Sequence, residues 1–273
     1  MLSLSNFVND VIFQSDRRSY WHPAHFGLQG CPFTCQTSDG EKLEGLVMPA
    51  KTAETSRVKG TVLFFHAAMM NLQFHLPQVA FLAEAGFHVV AFDYRGFGSS
   101  TGRSRLDTLE TDAESVFKWL EHSDWSNPDL ILFGQGVGAD AALQLLHAHA
   151  NRFKSVILEA PYAHRGDWLR ERWGPLIGDL AARVAHINKI EPESILAQTR
   201  TPVLTIYPDH CSCVRTKQRR RVEAALTSLG ETHEVSRTKF LGIFGSGRAD
   251  PQAKVLSFIA KSAPAIRVLT AVA

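Results

Sequence analysis

A short apolar run that leads into a glycine-rich turn limits most strongly what this chain can fold into. The stretch covers residues 130–143, LILFGQGVGADAAL. The apolar run is typical of a fully buried strand, and the segment after the glycines has the composition of a helix. Strand, tight turn and helix in this order favour a mostly parallel sheet whose two faces are covered by helices.

The same alternation of apolar runs and helical segments continues on both sides of this stretch. A β-hairpin is predicted over 31–49, with its turn at 38–40, and the segment GTVLFFHAA that follows the polar linker 51–59 predicts a buried strand. The further predicted strands are 87–92, 129–133, 154–159, 202–207 and 234–241, and the predicted helices are 76–85, 106–122, 138–150, 215–229 and 251–262. These elements predict an α/β fold.

The alternation is interrupted between residues 161 and 200. This segment has a helical pattern, and no further strand is predicted before residue 202. We therefore expect a helical cap inserted between two strands of the sheet. With a hydrophobic fraction of 45%, residues 1–273 can build one large core, so a single domain is expected.

Charge and cysteine content exclude several classes of function. Lys and Arg number 29 against 27 Asp and Glu, which predicts neither nucleic-acid nor anionic-membrane binding; the basic run 217–221 is interpreted as a solvated helix face. No apolar stretch is long enough to span a membrane, and the first residues lack the pattern of a signal peptide, so we expect a cytoplasmic protein. The four cysteines predict reduced thiols, and no metal site or cofactor is expected.

Two further turns carry a resemblance to a known family. FFHAAMMN (64–71) follows the first buried strand, and FDYRGFGSSTG (92–102) follows the next one. Together with the order of the elements, these turns resemble the α/β-hydrolase fold. The segment 11–160 is most similar to bacterial relatives of the BEM46/ABHD13-type serine hydrolases. The resemblance implies a nucleophile elbow, G-x-S-x-G, within residues 130–143.

At the positions that the resemblance assigns to a Ser-His-acid triad, this sequence differs. Gly136 stands where the nucleophilic serine is expected. The acid position falls on Cys211 or, with the alignment shifted by two residues, on Asp209. The turn expected to supply the histidine is 245–248, which ends in Arg248, and a guanidinium cannot act as a general base. The sequence therefore predicts a degenerate triad and a non-catalytic hydrolase homologue.

Glycine also suits the elbow physically, because it adopts strained backbone angles at little cost. The backbone N–H of Val137, together with that of Ala67 or Ala68, is expected to face the cleft, and these residues with His66 are the predicted ligand-binding residues. Loss of the serine side chain is expected to open space beside these donors. The leading hypothesis is a cleft under the cap that binds a small carbonyl or carboxylate ligand.

A working esterase with relocated catalytic groups is the first alternative. Cys211 with His210, or Ser246, would then supply the nucleophile, and Glu159 would be a substitute acid. Adjacent residues in an extended turn point apart, which argues against Cys211 and His210 as a pair.

A dinucleotide site is the second alternative. Gly134, Gly136 and Ala139 fit G-x-G-x-x-[GA], and Glu159 ends the next strand, where a ribose partner would lie. However, this turn follows a hairpin and two earlier strand–helix units rather than the first strand of a domain.

A third interpretation is a protein that uses only the fold to bind a partner. Trp168, Leu169, Trp173 and Leu176 give the cap an apolar face. This face either covers the cleft or forms the contact with a protein partner or a second copy of the chain.

Overall fold

The architecture follows from a computed structural model, which describes residues 4–52, 57–184, 190–245 and 248–262. The strands are β1 (Gln14–Ser15), β2 (Cys31–Gln36), β3 (Lys42–Met48), β4 (Thr61–Phe65), β5 (Met69–Met70), β6 (His88–Phe92), β7 (Leu130–Gln135), β8 (Phe153–Glu159), β9 (Val203–Pro208) and β10 (Gly230–Val235). The helices are α1 (Leu4–Ile12), α2 (Leu72–His75), α3 (Ala80–Glu84), α4 (Leu109–Glu121), α5 (Val137–Ala148), α6 (Arg165–Val184), α7 (Pro192–Gln198), α8 (Thr216–Ala225) and α9 (Ala249–Lys261). Short 3₁₀ turns cover Pro23–Phe26, Leu76–Gln78 and Ala150–Arg152.

Eight strands form one sheet in the order β10-β9-β8-β7-β4-β6-β3-β2. The pairs β2/β3 and β3/β6 are antiparallel, and every other neighbouring pair in this sheet is parallel. The central strands β4 and β7 are buried along their whole length because helices cover both faces. The fold class predicted from the sequence, a mostly parallel α/β-hydrolase sheet flanked by helices, is confirmed.

The ends of β4 and β7 place the predicted turns next to one another. Phe65 pairs with Gly134, so the segment after β4 and the turn after β7 leave the same edge of the sheet. This carboxyl edge is where ligand sites form in parallel sheets. The small parallel pair of β1 and β5 extends the edge, since Gln14 pairs with Met69.

The cap is confirmed as helical and lies between β8 and β9. Its long helix α6 is interrupted at Gly174, whose φ of 79° is left-handed and is followed by Pro175. The base of the cap is held by a buried ion pair, in which Arg165 contacts the Asp140 carboxylate on α5 at 2.5 Å. The Tyr162 hydroxyl donates to the same carboxylate at 2.8 Å.

Several predicted element boundaries were wrong. The strand predicted over 234–241 is instead β10, and it ends at Val235 because the carboxylate of Asp209 takes the next N–H groups, those of Arg237 and Thr238. The helix predicted over 215–229 ends at Ala225, where Leu226 is already extended. The helix predicted over 76–85 is broken at Val79. Helix α1 had no counterpart among the predictions.

In the described part of the chain, no helix has both the length and the apolar character needed to cross a bilayer.

Candidate functional site

The glycine turn after β7 has the backbone of a sharp strand-to-helix elbow. Gly136 has φ 54° and ψ −112°, and α5 begins at the next residue. Non-glycine residues rarely adopt a left-handed φ, so glycine relieves strain here. Gly134 and Gly138 are needed for a different reason, because neighbouring backbone atoms leave no room for a Cβ at either position. A Cβ on Gly134 would lie 2.5 Å from the Gly138 carbonyl oxygen, and one on Gly138 would overlap the carbonyl of Phe65.

Phe240 covers the position from which an elbow side chain would project. A Cβ built on Gly136 would lie 3.0 Å from Phe240 Cζ, which is closer than ordinary van der Waals contact. The Phe240 ring thus occupies the position of the missing side chain itself, whereas open space remains beside the backbone donors, as expected.

A pocket of about 160 Å³ remains beside the Phe240 ring, beneath the first half of α6. Its walls come from α1, from the segment after β4, from the elbow, from α6 and from the β9–α8 loop. The lining residues are Ile12, Gln14, Ala67, Ala68, Met69, Gly136, Val137, Tyr162, Trp168, Arg172, Ser212, Cys213, Val214 and Phe240. Most of them are apolar, and Arg172 is the charged side chain among them.

The structure brings the predicted backbone donors together at this pocket. Ala67, Ala68 and Val137 all line it. Among the described residues, no hydrogen-bond acceptor is found for the N–H groups of Ala67, Ala68 and Val137. Because Val137 is the first residue of α5, its N–H also lies at the positive end of the helix dipole. This arrangement favours a carbonyl or carboxylate oxygen.

His66, in contrast, lies behind the pocket and does not line it, which corrects its prediction as a ligand-binding residue. It is only 1% exposed, stacks on His75 with ring centres 5.1 Å apart, and its Nδ1 lies 2.8 Å from the Ala67 carbonyl oxygen. Burial, with the nearby His75, holds the pKa of His66 well below its ordinary value. A neutral histidine in this setting supports the backbone of the donor segment.

The two candidates for the acid position have different surroundings. The Asp209 carboxylate accepts from the backbone N–H of Arg237 at 2.7 Å and of Thr238 at 3.3 Å, and these bonds lower its pKa. Asp209 therefore fastens the loop that follows β10. The Cys211 sulfur contacts that of Cys213 at 3.1 Å, and its charge contributes to raising the pKa of Glu159 at the end of β8. Neither candidate side chain lines the pocket.

Arg248 does not reach the site, so the structure does not bring it to Gly136. Its guanidinium donates to the carbonyl oxygens of Ser236 and Arg237, at 3.4 Å and 2.8 Å, on the exposed side of the same loop. The residue of this loop that does face Gly136 is Phe240. Ser246, the alternative nucleophile in the predicted turn, lies outside the described residues.

A buried chain of polar side chains runs under the elbow. The Glu159 carboxyl accepts from the Leu241 backbone N–H at 2.9 Å and contacts the Gln135 side-chain amide at 2.5 Å. The other end of that amide lies 3.1 Å from His75 Nδ1, and His75 Nε2 lies 3.0 Å from the Met69 carbonyl oxygen. Burial raises the pKa of Glu159 to about 7 and lowers that of His75 to about 4.

The hydrogen bonds between Glu159, Gln135 and His75 require a particular protonation state of each side chain. A neutral His75 has one N–H, which must go to the Met69 carbonyl, so its Nδ1 needs a donor. The Gln135 NH₂ becomes that donor when the amide is turned over, and its oxygen then requires a proton from Glu159. A protonated Glu159 with a neutral His75 satisfies every contact. Glu159 is thus a buried structural carboxyl that holds the loop carrying Phe240.

In this position Glu159 cannot hydrogen-bond the ribose of a dinucleotide. A ribose partner must be reachable from the turn, but Glu159 is fully buried and its oxygens are engaged by Gln135 and Leu241.

The groups proposed for a relocated nucleophile are not paired with one another. Cys211 contacts Cys213 rather than His210, whose side chain is exposed. In the described part of the chain no cluster of three or more His, Cys, Asp or Glu can hold a metal ion.

The turn after β6 is structural. Arg95 bonds the buried Asp112 at 2.7 Å and Asp39 of the β2–β3 hairpin at 2.7 Å. Ser100 donates to the Asp93 carbonyl, and the Asp93 carboxylate accepts from the Leu72 N–H at 2.7 Å. None of these residues lines the pocket.

Sequence reasoning missed Phe240, Arg172 and the N-terminal residues Ile12 and Gln14 as parts of the site. The signal for Arg172 is a cation next to tryptophan in the cap, and its guanidinium does lie 5.9 Å from the centre of the Trp173 ring. Phe240 has no local signal, because the predicted strand 234–241 placed it inside the sheet.

Comparisons with known proteins agree with this architecture. Residues 56–232 match the Hydrolase_4 family model, described as serine aminopeptidase S33. The chain is 32% identical over 201 residues to the uncharacterised protein YfhR of Salmonella typhimurium, which covers 68% of each chain. It is 32% identical to YfhR of Escherichia coli K12 over 57% of this chain and 54% of that protein. Protein bem46 of Schizosaccharomyces pombe is 27% identical over 57% of this chain and 52% of its own length. The chain thus spans about half the length of several relatives that it matches.

Solved structures share the fold at low identity. The esterase PF2001 of Pyrococcus furiosus superposes with a TM-score of 0.73 at 16% identity, covering 92% of this chain and 98% of that one. The α/β hydrolase GrgF of Penicillium sp. sh18 gives a TM-score of 0.67 at 16% identity, covering 86% and 99% of the two chains.

Proposed function

Because this chain belongs to the Hydrolase_4 family of α/β hydrolases, we propose that it is a non-catalytic member that binds a small carboxylate with an apolar body. The pocket beside the elbow is the binding site in this proposal. The observation that carries it is the Phe240 ring packed on Gly136, with a pocket lined by backbone donors and Arg172 remaining alongside.

The chemistry of the elbow supports a role without catalysis. Acyl transfer needs a nucleophile within hydrogen-bond reach of a general base. Gly136 has no side chain, and the residue that faces it from the loop after β10 is Phe240, which carries no titratable group. The neighbouring carboxyl, Glu159, is engaged by Leu241 and Gln135, so it has no histidine to orient at the elbow.

The charge and shape of the pocket support a carboxylate as the ligand. Arg172 lines the pocket, and within the described part of the chain no carboxylate is ion-paired with it. A ligand carboxylate can pair with this guanidinium or accept from the N–H groups of Ala68 and Val137. The apolar side chains of Ile12, Met69 and Trp168 leave about 160 Å³ for a short or ring-shaped body.

Benzoate and its uncharged analogue benzamide test this proposal by calorimetric titration. We expect saturable benzoate binding that Arg172→Gln weakens about tenfold, since a charge-assisted hydrogen bond contributes ~1.5–3 kcal/mol. Benzamide binding should be insensitive to this change. Arg170→Gln is the matched control, because Arg170 is ion-paired with Asp167 and Asp179 and does not line the pocket.

Two results would contradict the proposal. One is hydrolysis of p-nitrophenyl acetate by the unaltered chain well above the uncatalysed rate, lost in a Cys211→Ala variant. The other is benzoate binding that responds equally to Arg170→Gln and Arg172→Gln.

Association through the cap is a second candidate role, favoured by exposed apolar side chains on the second half of α6. Trp168 and Leu169 are buried against the domain, whereas Leu176 is 87% exposed and Ile177 is 57% exposed. Such a patch suits a second copy of this chain. Light scattering over a range of concentrations tests it, with Leu176→Glu expected to abolish any dimer that forms.

A further inference from the structure

Two thiols meet beside the pocket, and one of them, that of Cys213, belongs to its lining. Cys211 and Cys213 lie in the loop between β9 and α8, and their Sγ atoms are 3.1 Å apart. A disulfide bond has a length of about 2.05 Å, so the sulfurs need to approach by only about 1 Å to become bonded. Both cysteines are free and half-buried. Cys213 also lines the pocket, next to Ser212 and Val214.

The two thiols are not equivalent. The contact with Cys213, backbone N–H groups of Cys213 and Val214, and the nearby Arg219 lower the pKa of Cys211 to about 7. The same contact and burial raise the pKa of Cys213 well above its ordinary value. Cys211 is therefore the thiol of this pair that ionises more readily, and the thiolate is the form that attacks a disulfide.

The other pair of cysteines lacks this arrangement. Cys31 and Cys35 lie four residues apart on β2, and burial raises the pKa of the Cys35 thiol to about 11. Their spacing along an extended strand keeps the sulfurs apart. They provide an internal reference.

We propose that Cys211 and Cys213 form a thiol–disulfide exchange site that reacts with low-molecular-weight disulfides. The Cys211 thiolate attacks one sulfur of the disulfide R–S–S–R, which forms a mixed disulfide and releases one RS⁻, protonated to RSH. The Cys213 thiol then loses its proton and attacks the Cys211 sulfur, which releases the second RSH. The protein gains one disulfide and loses two hydrogens, and the small disulfide is reduced to two thiols.

The structure also indicates how oxidation of Cys211 and Cys213 can affect the pocket. The Trp168 indole N–H donates to the Cys213 carbonyl at 3.0 Å, and Trp168 itself lines the pocket. Trp168 therefore links Cys213 directly to the pocket, so a change at Cys213 acts on a residue of the lining. This inference does not depend on the carboxylate-binding proposal.

Oxidised glutathione is the probe, added in excess to the reduced full chain at neutral pH. Intact mass and peptide mapping after rapid alkylation are the measurements. We expect the unaltered chain to lose two hydrogens, with the new bond mapping to Cys211 and Cys213. Cys213→Ser should stop at a stable glutathione adduct on Cys211, because no second thiol resolves it. Cys211→Ser should react at least about tenfold more slowly.

Cys35→Ser is the matched control and should behave like the unaltered chain. The proposal is overturned if the unaltered chain stays fully reduced, accumulates an unresolved adduct, or forms its bond through Cys31 or Cys35. It is also overturned if Cys211→Ser reacts as fast as Cys213→Ser. The mapping of the unaltered chain decides the question even where a variant does not fold.

Discussion

Phe240 packs end-on against Gly136, with its Cζ 3.0 Å from the position of a Cβ on that glycine. The two residues are far apart in sequence, and the packing of each depends on the other. The glycine leaves room for the ring, and the ring fills the space where a nucleophile would project. Introducing a serine at the elbow therefore meets both a strained backbone and an occupied site.

Gly136→Ala is expected to destabilise the fold by more than backbone strain alone. A left-handed φ costs a non-glycine residue ~1–3 kcal/mol, and the contact with Phe240 adds to this cost. Gly27→Ala is the matched control, because Gly27 has φ 64° and nothing within 4 Å of its Cβ position. Urea unfolding should show the larger loss for Gly136→Ala. In a Phe240→Ala background the loss from Gly136→Ala should shrink, whereas the loss from Gly27→Ala should stay the same. Losses at Gly136 and Phe240 that simply add would contradict the packing argument.

Catalysis is expected to depend on residue 240 rather than on residue 248. Gly136→Ser combined with Phe240→His places a hydroxyl and an imidazole side by side, above the carboxyl of Glu159. We expect this double variant to hydrolyse p-nitrophenyl butyrate at least about tenfold faster than the unaltered chain. Gly136→Ser with Arg248→His should remain inactive because Arg248 lies on the exposed side of the loop. Equal activity of the two double variants would refute the placement.

Glu159→Gln is expected to change how stability depends on pH. The pKa of Glu159 in the folded protein is about 7, above its ordinary value of 4.5, so folding takes up a proton between these two values. The stability contributed by the protonated carboxyl is present at low pH and is lost as pH rises through about 7.

The amide introduced by Glu159→Gln cannot titrate but keeps a similar shape. The free energy of unfolding of the variant, relative to that of the unaltered chain, should therefore rise by ~2–3 kcal/mol between about pH 4.5 and pH 8. His75, whose lowered pKa has the opposite effect, is present in both proteins and cancels in the comparison. Chemical unfolding of both proteins across this range is the measurement, and parallel curves would show that Glu159 does not bind the extra proton.

Asp140→Asn should weaken the attachment of the cap. It removes the buried carboxylate paired with Arg165, which also contacts Glu191 at 3.5 Å, and this loss is expected to cost ~3–5 kcal/mol. Asp179→Asn removes the partner of Arg170 on the same helix, but that pair is exposed and should cost well under about 1 kcal/mol. Thermal unfolding compares the two variants directly, and limited proteolysis shows whether cleavage concentrates in the cap. Equal losses would contradict a buried anchor.

Most of the fold was predictable because its signals are local. The runs that became β4, β7 and β8 are apolar along most or all of their length, and the glycines at 134, 136 and 138 allow the sharp turn into α5. The helical pattern between β8 and β9 likewise identified the cap. The absence of a nucleophile at residue 136 needs no structure, because a missing side chain is a fact of the sequence.

The occupant of the elbow was decided only by tertiary structure. Strand β10 ends at Val235 because the Asp209 carboxylate binds the N–H groups that follow, and Glu159 then holds the Leu241 N–H. These hydrogen bonds join residues 28 and 82 positions apart and turn Phe240, not Arg248, toward Gly136. Patterns within a short window carry the periodicity of strands and helices, but they contain no information on such distant partners. Residue 136 alone shows that this elbow has no nucleophile, whereas long-range packing places the Phe240 ring there instead.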